Sequence, residues 1–246
     1  MSLHADIDPT NSASMAQPAS TVKPKKEIPL PHLETRAEEW ASSITHAIGV
    51  ALAFAALVIL VVLASKHGEA RKIITLSIFG SSMLILYIAS TVFHACHPER
   101  HKRLKRAFKI ADHSAIYALI AGSYTPILLV FVRGAWGWSL FGVLWGMTLI
   151  GVCIKVYFVD KCEKLSTGIY LLMGWLGFIA AKTFWETVPH NALLWIAAGG
   201  LAYTFGVIFF FWDRLPYNHA IWHLFVMAGS ACHFFAMLHY VVPHNT

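Results

Sequence analysis

Apolar residues along this chain come in long blocks rather than in alternation. Seven runs of about 20 residues, each poor in charge, recur from residue 43 onward. A run of that length crosses a hydrocarbon core of roughly 30 Å as a helix. Lipid offers no hydrogen-bond partner to the backbone, so such runs must pair their own amide groups internally. The runs cover 43–65, 73–95, 109–132, 137–158, 167–185, 191–212 and 219–243. They predict an all-α integral membrane protein built as a seven-transmembrane helix bundle. Pro126 falls inside the third run and predicts a kink there. Gly168, Gly174 and Gly177 in the fifth, with Gly199 and Gly200 in the sixth, predict close helix contacts.

The first 36 or so residues carry no apolar period and are rich in Ser, Ala, Pro, Asp and Lys. Such a segment cannot bury enough surface to fold alone, so residues 1–36 read as a disordered cytoplasmic tail. It lacks the apolar core of a signal peptide, and no cleavage is expected. The run Lys23-Pro24-Lys25-Lys26 is a weak candidate for touching anionic lipid heads. Residues 37–246 then form the membrane domain, with no room for a second folded unit.

Composition agrees: 57% of the 246 residues are hydrophobic and 13% charged, too apolar for an ordinary soluble domain. The net charge of +6 matters through its placement. The tail and the loops after spans 2, 4 and 6 carry roughly 14 Lys and Arg, and the other loops roughly 5, which by the positive-inside rule puts the N-terminus in the cytoplasm and the C-terminus outside. The richest loop holds Arg100, Lys102, Arg103, Lys105, Arg106 and Lys109. Between two spans it reads as a topology determinant, and no nucleic-acid partner is expected. Trp40, Trp136, Trp138, Trp212 and Trp222 fall near span ends, as an interfacial belt requires. Cys96, Cys153, Cys162 and Cys232 contain no CxxC pair and read as free thiols.

Candidate chemistry lies among the 14 histidines. His219 and His223 open the last span four residues apart, on one helix face and about 6 Å apart along its axis. Span 2 ends with Ser90 and His94, again four apart on one face. Spans 2 and 7 run in opposite senses, so Ser90 reaches the level of His223 and His94 that of His219. Asp112 stands in the first turn expected for span 3, while His113, about 100° around that helix, should face elsewhere. Five polar groups thus gather in one half of the bundle, where ionisable side chains are costly unless used.

Three imidazole nitrogens suit a zinc ion (Zn2+) with an open fourth position, and zinc lowers the pKa of a bound water to about 7. Asp112 can take a proton from that water or hold it, and Ser90 can donate to a developing oxyanion. That is the inventory of an amide or ester hydrolase. Plainer roles exist. A histidine in a span is commonly a hydrogen-bonded packing residue, Ser90 can back-bond to its own helix, and Asp112 can serve the positive end of its helix. Asn218 is a candidate N-cap that would fix the turns bearing both span-7 ligands. Glu39 and His46, two turns apart in span 1, either join the polar core or brace the span's entrance. His233, ten residues past His223, should lie too far away to share a metal, and Cys96 reads as a bystander.

The same residues carry a family resemblance over nearly everything after residue 36. Glu39-Trp40-Ala41-Ser42-Ser43-Ile44-Thr45-His46 resembles a Glu-x-x-Asn-x-x-x-His motif, with Ser42 in the Asn position. Ser90-x-x-x-His94 is followed by Asp112-His113-Ser114-Ala115-Ile116-Tyr117 and by Ile120-Ala121-Gly122-Ser123-Tyr124-Thr125-Pro126. The last motif is Leu215-Pro216-Tyr217-Asn218-His219-Ala220-Ile221-Trp222-His223. Together they resemble the bacterial hemolysin III family of the progestin and adipoQ receptor superfamily, which is similar to alkaline ceramidases. The resemblance implies zinc on His94, His219 and His223, with Asp112 and Ser90 as polar partners of its water, in a multi-pass protein of the plasma (bacterial inner) membrane. It implies a membrane lipid as substrate or ligand. A receptor or sensor with structural zinc is the rival reading, and a pore former or transporter ranks below both. The absence of Lys from span 7 disfavours a retinal pigment. Oligomeric state is not legible.

Overall fold

In a computed structural model, residues 35–66, 69–96, 102–161 and 163–244 are described. Most of the expected tail, His67, His97, Arg100, His101 and Cys162 lie outside them. Seven helices are long and apolar enough to span a membrane, and no strand occurs among the described residues. α1 covers Arg36–Lys66, α2 Ala70–Ala95, α3 Lys102–Pro126 and α4 Gly134–Phe158. The fifth span is broken into α5 (Glu163–Gly174), a 3-10 turn (Leu176–Ala180) and α6 (Ala181–Thr187). α7 (His190–Phe210) and α8 (Asn218–Ala236) complete the bundle.

The chain is a multi-pass integral membrane protein, and its surface shows why. Large apolar side chains such as Leu52, Phe54, Ile74, Leu149, Ile150 and Leu194 stand exposed around the bundle, where only lipid would receive them at no cost. Lipid tails are as apolar as Leu, so packing rather than hydrophobic drive holds the helices together. α1 packs on α2, α2 on α3, α7 on α8, and α1 closes onto α8. α3 is the central post: 72% of its membrane window is buried, against 11% for α7.

Pro126 ends α3 and the chain continues as a π-helical turn, Ile127–Val132. A proline offers no N–H to the preceding turn, and the wider turn absorbs the fault. The glycine expectation divides. A Cβ on Gly199 would come within 2.5 Å of the His233 ring, so α7 and α8 touch there only because the side chain is missing. A Cβ on Gly168 or Gly174 would meet open space. Those two do not pack helices, and Gly174 instead ends α5 and accepts a hydrogen bond from Tyr124 Oη at 2.6 Å. Trp40, Trp136, Trp138 and Trp212 are exposed as a belt requires, but Trp222 turns inward against Gly206 and Phe210.

α3 begins at Lys102, earlier than its apolar run. Asp112 is therefore ten residues into the helix rather than in its first turn, and the helix-end account of its charge does not hold. The basic stretch simply continues the helix: Lys102, Arg103 and Arg106 stay exposed. Lys109 pairs with Asp160 in the turn after α4 at 2.8 Å. That hydrogen bond holds the Asp160 carboxyl below the usual carboxylate range.

Candidate metal centre

Each candidate ligand comes from a helix end. His94 sits in the last turn of α2, and His219 and His223 in the first two turns of α8. One ring nitrogen from each of the three lies within 4.8 Å of one from each of the others. Ring centroids are 4.8 Å apart for His94–His219, 5.1 Å for His94–His223 and 4.7 Å for His219–His223.

The outer nitrogens are spoken for. His94 Nδ1–H donates to Glu39 Oε2 at 2.8 Å, and His223 Nδ1–H donates to the Ser42 carbonyl at 3.1 Å, with Thr45 Oγ1 at 3.4 Å. A carbonyl or carboxylate only accepts, so both rings carry a proton on Nδ1, and in the neutral ring Nε2 is the acceptor, turned to the cluster. Ligand histidines in metal sites are held this way, with the other N–H on a carboxylate or backbone carbonyl. The donor set and its supports fit a divalent ion of the zinc type. Nothing in the geometry selects zinc over its neighbours in the first transition row.

α1 supplies most of the support. Glu39, Ser42 and Thr45 hold ligand rings, and the His46 ring stacks on His223 at 3.5 Å and 11°. Both His46 ring nitrogens are buried and without a hydrogen-bond partner. Of the two readings for Glu39 and His46, the polar core is the one realised. Thr35 and Glu38 form a capping box at the start of α1: Glu38 Oε2 accepts from Thr35 N at 2.7 Å, and Glu38 N donates to Thr35 Oγ1 at 3.3 Å. The other oxygen, Oε1, accepts from the Tyr217 backbone N–H at 3.0 Å.

That last bond replaces the expected Asn218 cap. Asn218 is the first residue of α8, and its side chain reaches back to Phe210 O at 3.5 Å. Tyr217 precedes it at φ 59, a left-handed conformation that costs a residue with a side chain on the order of 1 kcal/mol. The buried Glu38 holds this turn and thereby sets where α8 begins.

Ser90 and Asp112 are both buried and adjacent, and Asp112 lies within electrostatic reach of His94, Lys105 and Lys155. The Ser90 hydroxyl makes no back-bond to its own helix. His113 does not face away: it is buried and lines the same cavity as Asp112. His233 sits apart, its Nε2 donating to Ile196 O at 3.3 Å, a packing role as expected. Cys96 caps the end of α2 outside the ligand cluster, and Cys96, Cys153 and Cys232 are free thiols.

Two lysines escaped the sequence reading. Lys105 lies inside the loop taken for topology, yet its ammonium turns in to Glu39 Oε1 at 2.9 Å and Phe93 O at 2.9 Å. Lys155 is only 1% exposed and faces the Asp112 side of the cavity. A lysine near a span end ordinarily snorkels outward, so only its proximity to Asp112 in space could have flagged it.

The cluster opens on a cavity of about 590 Å³ whose wall is overwhelmingly apolar. His219, His223 and Asp112 stand at one end of it, and Phe184, Leu193 and Met237 line it near the opposite end of the bundle. The broken fifth span forms part of the wall through Gly174, Trp175 and Gly177.

A helical membrane bundle with three converging histidines beside a buried Asp and Ser defines the class. The sequence model for haemolysin-III-related proteins matches residues 34–234, and the chain belongs to that family, within the progestin and adipoQ receptor superfamily. It is 47% identical to Hemolysin-3 of Bacillus cereus over 206 residues, 84% of this chain and 93% of that protein. Against the Hemolysin-3 homolog of Bacillus subtilis (strain 168) the identity is 45%, covering 83% and 95%. It is 33% identical to the human monocyte to macrophage differentiation factor, covering 70% and 73%.

Proposed function

We propose that this protein is a zinc-dependent hydrolase of a membrane lipid amide or ester, with the end bearing the histidine cluster on the cytoplasmic side. One observation carries the reading: His219 and His223, two of the three clustered histidines, stand with Asp112 at the head of an apolar cavity large enough for an acyl chain. The exposed Lys102, Arg103 and Arg106 support the orientation, since basic residues are retained in the cytoplasm.

In this reading His94, His219 and His223 hold the ion, which when bound supplies a Lewis acid and an acidified water. Asp112 takes the proton released at attack and returns it to the leaving amine or alcohol. Ser90 donates to the oxygen that gains charge at the scissile carbonyl. The cavity aligns the acyl chain and keeps bulk water out. The family's similarity to alkaline ceramidases suggests ceramides as first substrates to try.

The test is turnover of labelled ceramides and acyl lipids by zinc-loaded protein. Activity should vanish with His219→Ala and fall on the order of 10²- to 10⁴-fold with Asp112→Asn. Fully loaded protein that turns over none of these lipids would remove the hydrolase. A structural zinc in a receptor or sensor is then the reading that stands, favoured by the tie the cluster makes between α1, α2 and α8. Chelation separates the two, since removing a structural ion lowers the unfolding temperature steeply while removing a catalytic one chiefly stops turnover. The relatives named Hemolysin-3 raise membrane lysis as a third activity. The apolar wall suits a lipid rather than an aqueous pore, and liposome leakage measures it directly.

A further inference from the structure

The Glu39 carboxylate is used at both oxygens. Oε2 takes the His94 Nδ1–H at 2.8 Å, and Oε1 takes the Lys105 ammonium at 2.9 Å. Lys105 is fixed in turn on its far side. It donates to Phe93 O, a carbonyl at the end of α2, and its ammonium lies 4.2 Å above the centre of the Phe93 ring. Residues from three helices therefore close a loop around one ligand: α1 gives the carboxylate, α3 the ammonium, and α2 both the ligand and the carbonyl. The His94 side chain is 1% exposed and the Glu39 side chain 25%, so the carboxylate stands between solvent and cluster.

We propose that Glu39, anchored by Lys105, is the positioning residue that sets the metal affinity of the cluster. It holds His94 in the Nδ1–H tautomer with Nε2 turned to the other two rings. The inference rests on the metal reading of the three histidines, not on the hydrolase reading. The physical grounds are general. A carboxylate on the outer N–H of a ligand imidazole fixes the ring plane and makes the inner nitrogen a better donor. A carboxylate with only one partner could rotate to water. Here the second oxygen is tied to an ammonium that is tied to the ligand's own helix, so ring and carboxylate move as one body. His223 has a backbone carbonyl in the same position, which no side-chain change removes, so of these two ligands His94 is the one whose support can be tuned.

The experiment uses full-length protein in detergent, stripped of metal and titrated with Zn2+ against a chromogenic chelator. Co2+ serves as a spectroscopic probe. Glu39→Gln keeps the shape and an acceptor but loses the charge, and should weaken zinc binding about 10- to 100-fold and shift the Co2+ visible bands. Lys105→Met should weaken it less, in the same direction, and Lys105→Arg should restore most of the loss. Lys105→Met breaks an ion pair much like Lys72–Glu69 and should also lower the unfolding temperature of the metal-free protein, whereas Glu39→Gln and Lys105→Arg, which keep an acceptor and a charge in place, should leave it near the wild-type value. Wild-type affinity and spectrum in Glu39→Gln and Lys105→Met would overturn the proposal while leaving the metal reading intact. A loss of affinity in Glu39→Gln matched by a loss of metal-free stability would overturn it too, reducing Glu39 and Lys105 to a clip between helices. A wild-type protein that binds neither ion would overturn both readings together.

Discussion

Both ends of the bundle bury polar side chains, and they resolve the cost in opposite ways. At one end Lys72 is fully buried in the first turn of α2. Its ammonium pairs with Glu69 at 2.9 Å and donates to Val242 O at 3.3 Å, tying α2 to the segment after α8. Donor meets acceptor and charge meets charge, so the arrangement is complete within the chain. At the other end the protons of His94 and His223 point outward to Glu39 and Ser42, and acceptor nitrogens face one another. Converging acceptors in a low-dielectric interior are satisfied by a cation. The first end holds helices together within the chain, and the second brings together three histidines that could bind a metal ion.

The sharpest way to break this contrast is to load and strip the metal. A ligand that binds only the folded state at a thousand-fold excess over its Kd adds about 4 kcal/mol of stability. Zinc should raise the unfolding temperature of the wild type accordingly, and His223→Ala should abolish the rise. Equal melting with and without zinc in the wild type would equate the two ends. The complementary change is Lys72→Met, which keeps the stem and removes the charge from the far end. Glu69 is partly exposed and can turn to water, so the loss should be about 2 to 3 kcal/mol, below that of a fully enclosed pair. Zinc binding should be untouched, and altered metal content in this variant would mean the ends are coupled.

A buried imidazole away from the cluster supplies the control. His233 bonds to Ile196 O and fills the space that Gly199 leaves open. Gly199→Ala would drive a methyl into that ring and should cost about 1 to 2 kcal/mol by overpacking, again with metal binding intact. Gly168→Ala, facing open space in α5, should instead be neutral or stabilise by up to about 1 kcal/mol. The pair is read by unfolding in denaturant. If the two substitutions gave equal effects, the α7–α8 approach would not be as close as described.

How much of this was legible depends on the length scale. Twenty-residue apolar blocks state the spans, because the bilayer's thickness is the same for each of them. His94, His219 and His223 were legible as a set because antiparallel helices place span-end residues at one depth. Rotation about each helix axis was not legible, since packing sets it. Lys105 and Lys155 therefore turned inward against the expectation for lysines near a span end, and His113 came to the same cavity as Asp112. The start of α3 was misplaced because a basic, solvated helix continues two turns past the apolar run. The Thr35-x-x-Glu38 capping box was present in the sequence, a local signal overshadowed by the nearby motif. The break in the fifth span had only its glycines to announce it, and glycines in spans usually mean contact.

The smallest effect tests the charge pair that belongs to neither pattern. Lys109 and Asp160 join α3 to the turn after α4 in the open, with Asp160 more than half exposed. Water screens such a pair, so its contribution is small. Its sign is fixed all the same. The Lys109 hydrogen bond lowers the folded-state pKa of Asp160 below the value near 3.9 expected in the unfolded chain. The carboxylate then binds protons more weakly in the folded state, so whatever stability it adds is present above about pH 4 and fades as the pH falls through the folded pKa. Lys109→Met should move the Asp160 titration, followed by carboxyl-carbon NMR, up toward the ordinary range, with Arg106 at 3.9 Å still holding part of the shift. Stability at neutral pH should change by less than about 1 kcal/mol. A loss as large as that of Lys72→Met would mean that exposure does not decide what a charge pair is worth in this bundle. The contrast between the two ends would then need another cause.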